Sequence, residues 1–156
     1  MRRVVLVGLV LLVCVSVAGC TGGGGIGSGG GTLPTAEVSA VFDQIEQAVI
    51  AEDVEALVWN FAYESTAVDL YGNSLTVSRE VLKEGWEYLF AVSNFPVYQI
   101  IDRQIVFHGS IEATVTATVN MTVYMFGEWN SSTSVYRWAL RRVDGRWLIY
   151  KEEQLA

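Results

Sequence analysis

Few residues of this sequence could move a proton, and they are scattered. His108 is its one histidine, followed directly by Gly109-Ser110. An imidazole titrates near neutrality and could shuttle a proton at a strand end. A lone histidine beside a Gly-Ser turn nevertheless reads as a solvated loop residue. Asp69 lies in the run 67–71, ahead of a Gly72-Asn73 turn. A general base must reach its proton and sit in a site dry enough to shift its pKa. With Val68 and Leu70 facing inward, alternation turns Asp69 and Tyr71 outward. Neither Asp69 nor His108 is therefore expected to carry catalysis. Cys14 and Cys20 both precede Thr21, so the rest of the chain has one histidine, no set of zinc ligands and no pair of thiols. No metal, cofactor or internal disulfide is expected.

The aromatic residues offer more surface than chemistry. Trp59 and Tyr63 at the end of a second helix, Trp86 in a third helix and Trp138 in a late strand are the candidates for lining an apolar pocket. Trp129, inside what reads as a polar GEWNSS loop, could grip a ligand, a partner or a membrane interface. Arg137, Arg141, Arg142 and Arg146 gather around the last hairpin and read as a basic edge answering acidic helices.

These residues need elements to hold them, and one strand dominates. The segment 111–126, IEATVTATVNMTVYMF, alternates throughout. Ala113, Val115, Ala117, Val119, Met121, Val123 and Met125 share one side. Thr114, Thr116, Thr118, Asn120, Thr122 and Tyr124 share the other. Such a period-two pattern predicts a long strand with one buried face, twisted into a curved sheet. Upstream, Val38, Val41, Phe42, Ile45, Ala48 and Val49 recur at helical spacing after Pro34, with Thr35 as the expected N-cap. Asp53 caps a second short helix whose inward residues run to Phe61. A small hairpin spans 67–77, and Ser78 caps a third helix carrying Leu82, Trp86, Leu89 and Phe90. The strand 97–107 slips phase near Ile100-Ile101, as a bulge would make it. The strand 134–143, an Asp144-Gly145 turn and the strand 146–153 complete the order.

The first 33 residues read as an address. Arg2 and Arg3 precede an apolar run at 4–17, too short for a span of about 20 residues. Val17-Ala18-Gly19-Cys20 resembles a lipobox, with cleavage before a cysteine that takes lipid. The expected layout is a lipoprotein signal peptide at 1–19, a lipidated Cys20 with a glycine-rich linker at 20–33, and a domain at 34–156. The linker, a flexible coil of about 12 residues, would hold the domain roughly 20 Å off the membrane. The expected location is the cell membrane, lipid-anchored and facing away from the cytoplasm. The formal charge of −7 becomes −9 without Arg2 and Arg3, and between Glu37 and Glu87 only Arg79 and Lys83 oppose eleven acids. Such a surface argues against nucleic acid and against lying flat on anionic lipid.

The element order, with the ending Val143-Asp144-Gly145-Arg146-Trp147, resembles the nuclear transport factor 2-like superfamily of polyketide-cyclase and ketosteroid-isomerase relatives. The resemblance implies an α+β fold: a curved, mostly antiparallel sheet wrapped around three N-terminal helices, the cystatin-like cone, often with a pocket at its open end. The isomerases of this group place an acidic base in or beside the first hairpin, which makes Asp69 the residue to test. They also pair a tyrosine hydroxyl with a protonated acid as an oxyanion hole, for which Tyr63, Tyr88, Tyr98, Tyr136 and Asp102 are available. The superfamily also contains carriers and dimerisation modules, and fold does not choose among them. The sequence favours binding of a small apolar ligand or a protein partner without turnover; an isomerase-, dehydratase- or hydrolase-like enzyme is the rival reading. The uncharged outer face Thr114, Thr116, Thr118, Asn120, Thr122 and Tyr124 is the expected homodimer face.

Overall fold

The structure, a computed structural model, describes residues 32–156, with side chains from Pro34 onward. The expected signal peptide, Cys20 and the glycine linker lie outside the described residues. Among the described residues there are three helices: α1 (Thr32–Ile50), α2 (Val54–Val58) and α3 (Arg79–Val92). The strands are β1 (Phe61–Val68), β2 (Ser74–Ser78), β3 (Ser93–Phe107), β4 (Glu112–Met125), β5 (Glu128–Val143) and β6 (Arg146–Gln154). They form one curved sheet in the order β2-β1-β6-β5-β4-β3, antiparallel except where β1 runs beside β6. This is the mixed α+β architecture with helices packed into the hollow of an unclosed sheet.

Local chemistry explains most of the boundaries. Asp53 accepts from the Ala56 N–H at 3.0 Å and Ser78 from the Val81 N–H at 3.4 Å, each satisfying an orphan donor at a helix start. Thr35 does not cap α1; the helix already begins at Thr32. The second helix stops at Val58 rather than running to Phe61, because Phe61 opens β1 and aligns with Ile149 of β6. The first hairpin is likewise wider than 67–77, spanning Phe61 to Ser78 with its turn at 69–73. No coil separates α3 from β3, so Asn94 and Pro96 stand in the strand instead of ending the helix.

The largest correction is at the polar loop. Residues 128–133 belong to β5, and the β4–β5 connection is just Phe126-Gly127. Both have positive φ, 54° and 88°, the twist that a two-residue primed turn needs. Phenylalanine is a rare choice for that position, which is why the turn is hard to read from sequence. Trp129 consequently sits in a strand opposite Tyr124, with ring centroids 4.9 Å apart, and both rings remain exposed.

Alternation on β4 holds. Ala113, Val115, Ala117, Val119 and Val123 are buried, while Thr114, Thr116, Thr118, Asn120 and Thr122 are half-buried on the outer face and Tyr124 is exposed. The inner side meets Val38, Phe42, Ile45 and Val49 of α1 and Trp86 and Leu89 of α3 in one core. The slip in β3 is real: register breaks between Ile101 and Gln104, with Asp102 left-handed at φ 55°. Arg103 leaves that bulge to pair with Asp43 and Glu46 and to reach the Ser39 carbonyl, pinning β3 to α1.

Candidate active site

A second bulge, in β6, builds the site. Ala139 pairs with Lys151 but its neighbour Leu140 pairs with Ile149, leaving Tyr150 as an extra residue. One extra residue inverts the in-out phase of everything after it. Period two carried on from buried Trp147 and Ile149 would bring Lys151 and Glu153 inward. The bulge brings Glu152 inward instead, opposite the buried Trp138.

Glu152 forms the floor of a cavity of about 50 Å³. Ile45, Leu57, Leu82 and Trp86 of the helices close one side; Tyr98, Ile100, Trp138 and Ile149 of the sheet close the other. The rest of the lining is Phe61, Ser65, Thr66 and Ala67 of β1 with Leu75 and Val77 of β2, of which Leu75, exposed on the hairpin, marks the rim. A smaller cavity of about 30 Å³ continues under Phe95, Met121 and Tyr136 and shares Trp86, Tyr98, Trp138 and Glu152 with the first. Space of this order holds a few water-sized groups, well below the 300–1,000 Å³ or so of a drug-sized site. The rim strand β2 is a five-residue edge, exposed over most of its length and bonded only to β1.

The floor sets one buried carboxyl among indole and phenol groups. The Trp138 indole N–H donates to Glu152 Oε2 at 2.6 Å. Burial pushes the Glu152 carboxyl above the usual glutamate range, and the Trp138 hydrogen bond offsets only part of that. Burial also pushes the Tyr98 phenol well up, with the nearby Glu152, Tyr136 and Glu46 charges acting in the same direction. Tyr98 therefore keeps its proton at neutral pH. The Trp86 indole nitrogen is buried and has no hydrogen-bond partner among the described residues. An orphaned buried donor beside a cavity calls for an acceptor there. No lysine, arginine or histidine lines either cavity, so no opposite charge offsets the desolvation of an anion there. Among the described residues no cluster of His, Cys, Asp and Glu suits a metal ion.

The other candidates fall outside this constellation. Asp69 stands at the β1–β2 turn: its Oδ1 accepts from the Tyr71 and Asn73 backbone N–H groups at 2.9 and 2.8 Å, and Oδ2 from the Asn73 side chain at 2.8 Å. These bonds, the Asn73 side chain foremost, hold its carboxyl below the usual range. His108 is exposed, with Nε2 2.9 Å from Thr114 Oγ1 on the outer face. Asp102 is exposed in the β3 bulge. Trp59 and Tyr63 do not line the pocket; they are 55% and 66% exposed. The structure thus brings Trp86 and Trp138 together with Tyr98, Tyr136 and Glu152. Glu152 carries no signal in the sequence, because its inward phase depends on the bulge at Tyr150.

No protein-family model matches the sequence, and no curated protein matches it. Solved structures do match in fold. A protein of unknown function with a cystatin-like fold from Nostoc punctiforme superposes with a TM-score of 0.61 at 18% identity, over 80% of this chain and 91% of that one. A ketosteroid isomerase-like protein from Erwinia carotovora atroseptica gives 0.65 at 15% identity, over 80% and 98%. A nuclear transport factor 2-like protein from Cytophaga hutchinsonii gives 0.66 at 15% identity, over 78% and 97%. At such identities the likeness shows the fold alone: a cystatin-like, nuclear transport factor 2-like cone.

Proposed function

We propose that the cone binds a small, uncharged, largely apolar molecule carrying one oxygen acceptor, and does so without turning it over. The observation that carries this reading is the Glu152 carboxyl lining an apolar cavity with Tyr98, where burial favours its protonated form more than for an ordinary glutamate. A tyrosine hydroxyl with a protonated carboxylic acid is the donor pair that ketosteroid isomerases use to hold a substrate oxygen. Those enzymes add a separate carboxylate base. Here the cavity has a single carboxyl, and Asp69 is tied into its turn. Donors without a base grip an oxygen but have nothing to abstract a proton. We also read the protein as lipid-anchored through Cys20, outside the cytoplasm.

The test is native mass spectrometry of the full chain purified from its own host, followed by titration of its tryptophan fluorescence with whatever neutral molecule is released. Binding weakened about tenfold or more by Glu152→Leu, and less by Glu152→Gln, supports the reading; a hydrogen bond of this kind is worth roughly 1–2 kcal/mol. Chemical conversion of the released molecule by the wild type, lost in Glu152→Gln, would install the enzyme reading in its place.

A second reading concerns the outer sheet face. From Thr114 to Tyr124 its β4 positions carry no charge, and Val97, Ile101 and Val106 of β3 are exposed beside them. Such a face suits pairing with a second copy. Thr118→Lys would set like charges near one another across a two-fold contact, and light scattering of the purified chain should then show a dimer that this change weakens.

A further inference from the structure

Six of the eight lysines and arginines in residues 32–156 have a carboxylate partner: Lys83 with Glu55, Arg103 with Asp43 and Glu46, Arg137 and Lys151 with Glu153, Arg141 with Glu112, and Arg142 with Glu37. Among the described residues, Arg79 and Arg146 are the two without one, although the chain has 17 acids to choose from. Both sit on the same side chain. The Arg146 guanidinium carbon is 4.1 Å from the centroid of the Trp59 ring and that of Arg79 is 5.7 Å from it. Their hydrogen bonds go to backbone carbonyls, Arg146 to Trp59 at 2.9 Å and Arg79 to Phe61, which leaves N–H donors over on each fork. Glu80 lies close enough to feel the Arg79 charge, but no ion pair forms.

The position of this cluster in the cone gives it a direction. The Arg142 N–H bonds the Ile111 carbonyl at 2.8 Å, bringing the β3–β4 and β5–β6 turns together. Arg146 joins that end to Trp59, and Glu37 of α1 bonds both Arg142 and the Trp147 indole there. The first turns of α1 therefore emerge at the same end as Trp59. Ile111 and Val143 are 56% and 43% exposed beside it. Thr32 is twelve positions from Cys20 in the sequence, a separation that a flexible glycine-rich chain would bridge over roughly 20 Å.

We infer that this end is the surface by which the domain stands on an anionic membrane. The inference rests on the reading of Cys20 as the lipid anchor. Trp59 with Ile111 and Val143 would reach the headgroup boundary, where tryptophan and aliphatic tips are favoured. Arg79 and Arg146 would take phosphodiester oxygens, which planar guanidinium forks bind in pairs. The acidic flank of the helices is repelled by the same surface, so the cone stands on its end and the pocket rim, at the β1–β2 hairpin side, points away from the lipid.

The experiment uses the full chain, matured in its own host and reconstituted in phosphatidylcholine vesicles with about 30% phosphatidylglycerol. Single cysteines, Ile111→Cys at the docking end and Tyr71→Cys at the pocket end, carry a spin label, and accessibility to a water-soluble nickel chelate is measured. The expected result is several-fold less accessibility at 111 than at 71, with the difference lost at about 0.5 M salt and in Arg79→Gln/Arg146→Gln. Arg146→Gln alone, which leaves the Phe61 carbonyl contact in place, should lose part of it. Equal accessibility at both labels on sedimenting vesicles overturns the docking and spares the anchor. A chain that stays in the supernatant with no lipid mass on Cys20 overturns both. Shielding of 111 that depends on protein concentration and persists without vesicles assigns the face to a second copy and overturns the inference.

Discussion

Asp69 and Glu152 are carboxylates close together along the chain's first and last strands: Glu152 of β6 pairs with Ala67 of β1, two residues before Asp69, which follows the end of that strand. Their chemistry is opposite. Asp69 has left the sheet for a turn, where two backbone N–H groups and the Asn73 amide stabilise its charge. Glu152 has one indole donor and an apolar cavity, which stabilise its proton. The difference lies in what surrounds each oxygen: many donors favour the anion, and few donors in a dry space favour the acid. A residue's type names what it could do; the number of donors around it decides which form it takes.

The strongest way to break this contrast is to remove the aromatic wall against which Glu152 is buried. Trp138 packs on Phe42 at 5.1 Å and stacks on Tyr136 at 5.5 Å, and it supplies the Glu152 hydrogen bond. Trp138→Ala should cost about 3–5 kcal/mol in chemical denaturation, the range for deleting a buried aromatic ring. Trp138→Phe keeps most of the ring and removes the donor. It should move the Glu152 titration further upward, read by carboxyl infrared absorption, and a downward movement would refute the assignment of that donor.

A smaller effect should appear in how stability follows pH. The folded pKa of Glu152 is raised, so the folded state holds its proton more tightly than the unfolded chain does. That contribution is complete below the ordinary glutamate range and is lost as pH rises through the folded pKa. Glu152→Gln should accordingly be more stable than wild type at pH 8 and lose this advantage by pH 3. Its size at pH 8, divided by about 1.4 kcal/mol, gives the displacement in pKa units. A variant with a pH-independent offset would mean that Glu152 is not held in a dry site.

How far the sequence announces this arrangement depends on whether the signal is periodic. The β4 alternation, the α1 stripe and the caps Asp53 and Ser78 are repeated or local patterns, and each one is legible. The β3 bulge is legible as well, since Ile100 and Ile101 break phase in adjacent positions. The β6 bulge is not, because Leu148, Ile149 and Tyr150 are apolar enough to fit either phase, and Glu152 inherits the ambiguity. Trp59 and Tyr63 mislead for a related reason. Aromatic rings suit a pocket and a surface equally, and only the early end of α2 at Val58 turns these two outward.

The smallest effect, and the sharpest test of the contrast, is at Asp69. Its folded pKa is depressed, so its contribution is present above the ordinary aspartate range and is lost as pH falls through the folded value. Asp69→Asn keeps the shape and exchanges an acceptor for a donor that faces the Asn73 amide. The variant should be slightly less stable than wild type at pH 7, with the gap closing on acidification. That is the reverse of the course expected for Glu152→Gln. Ligand binding should be unchanged, because Asp69 does not line the cavity. Two parallel denaturation series across pH 3–8 measure both variants against the wild type. If the two gaps moved in the same direction, the opposition between the turn and the cavity floor would fail. If Asp69→Asn abolished binding with its fold intact, the first hairpin would have to close over the pocket and bring Asp69 to the ligand as the missing base.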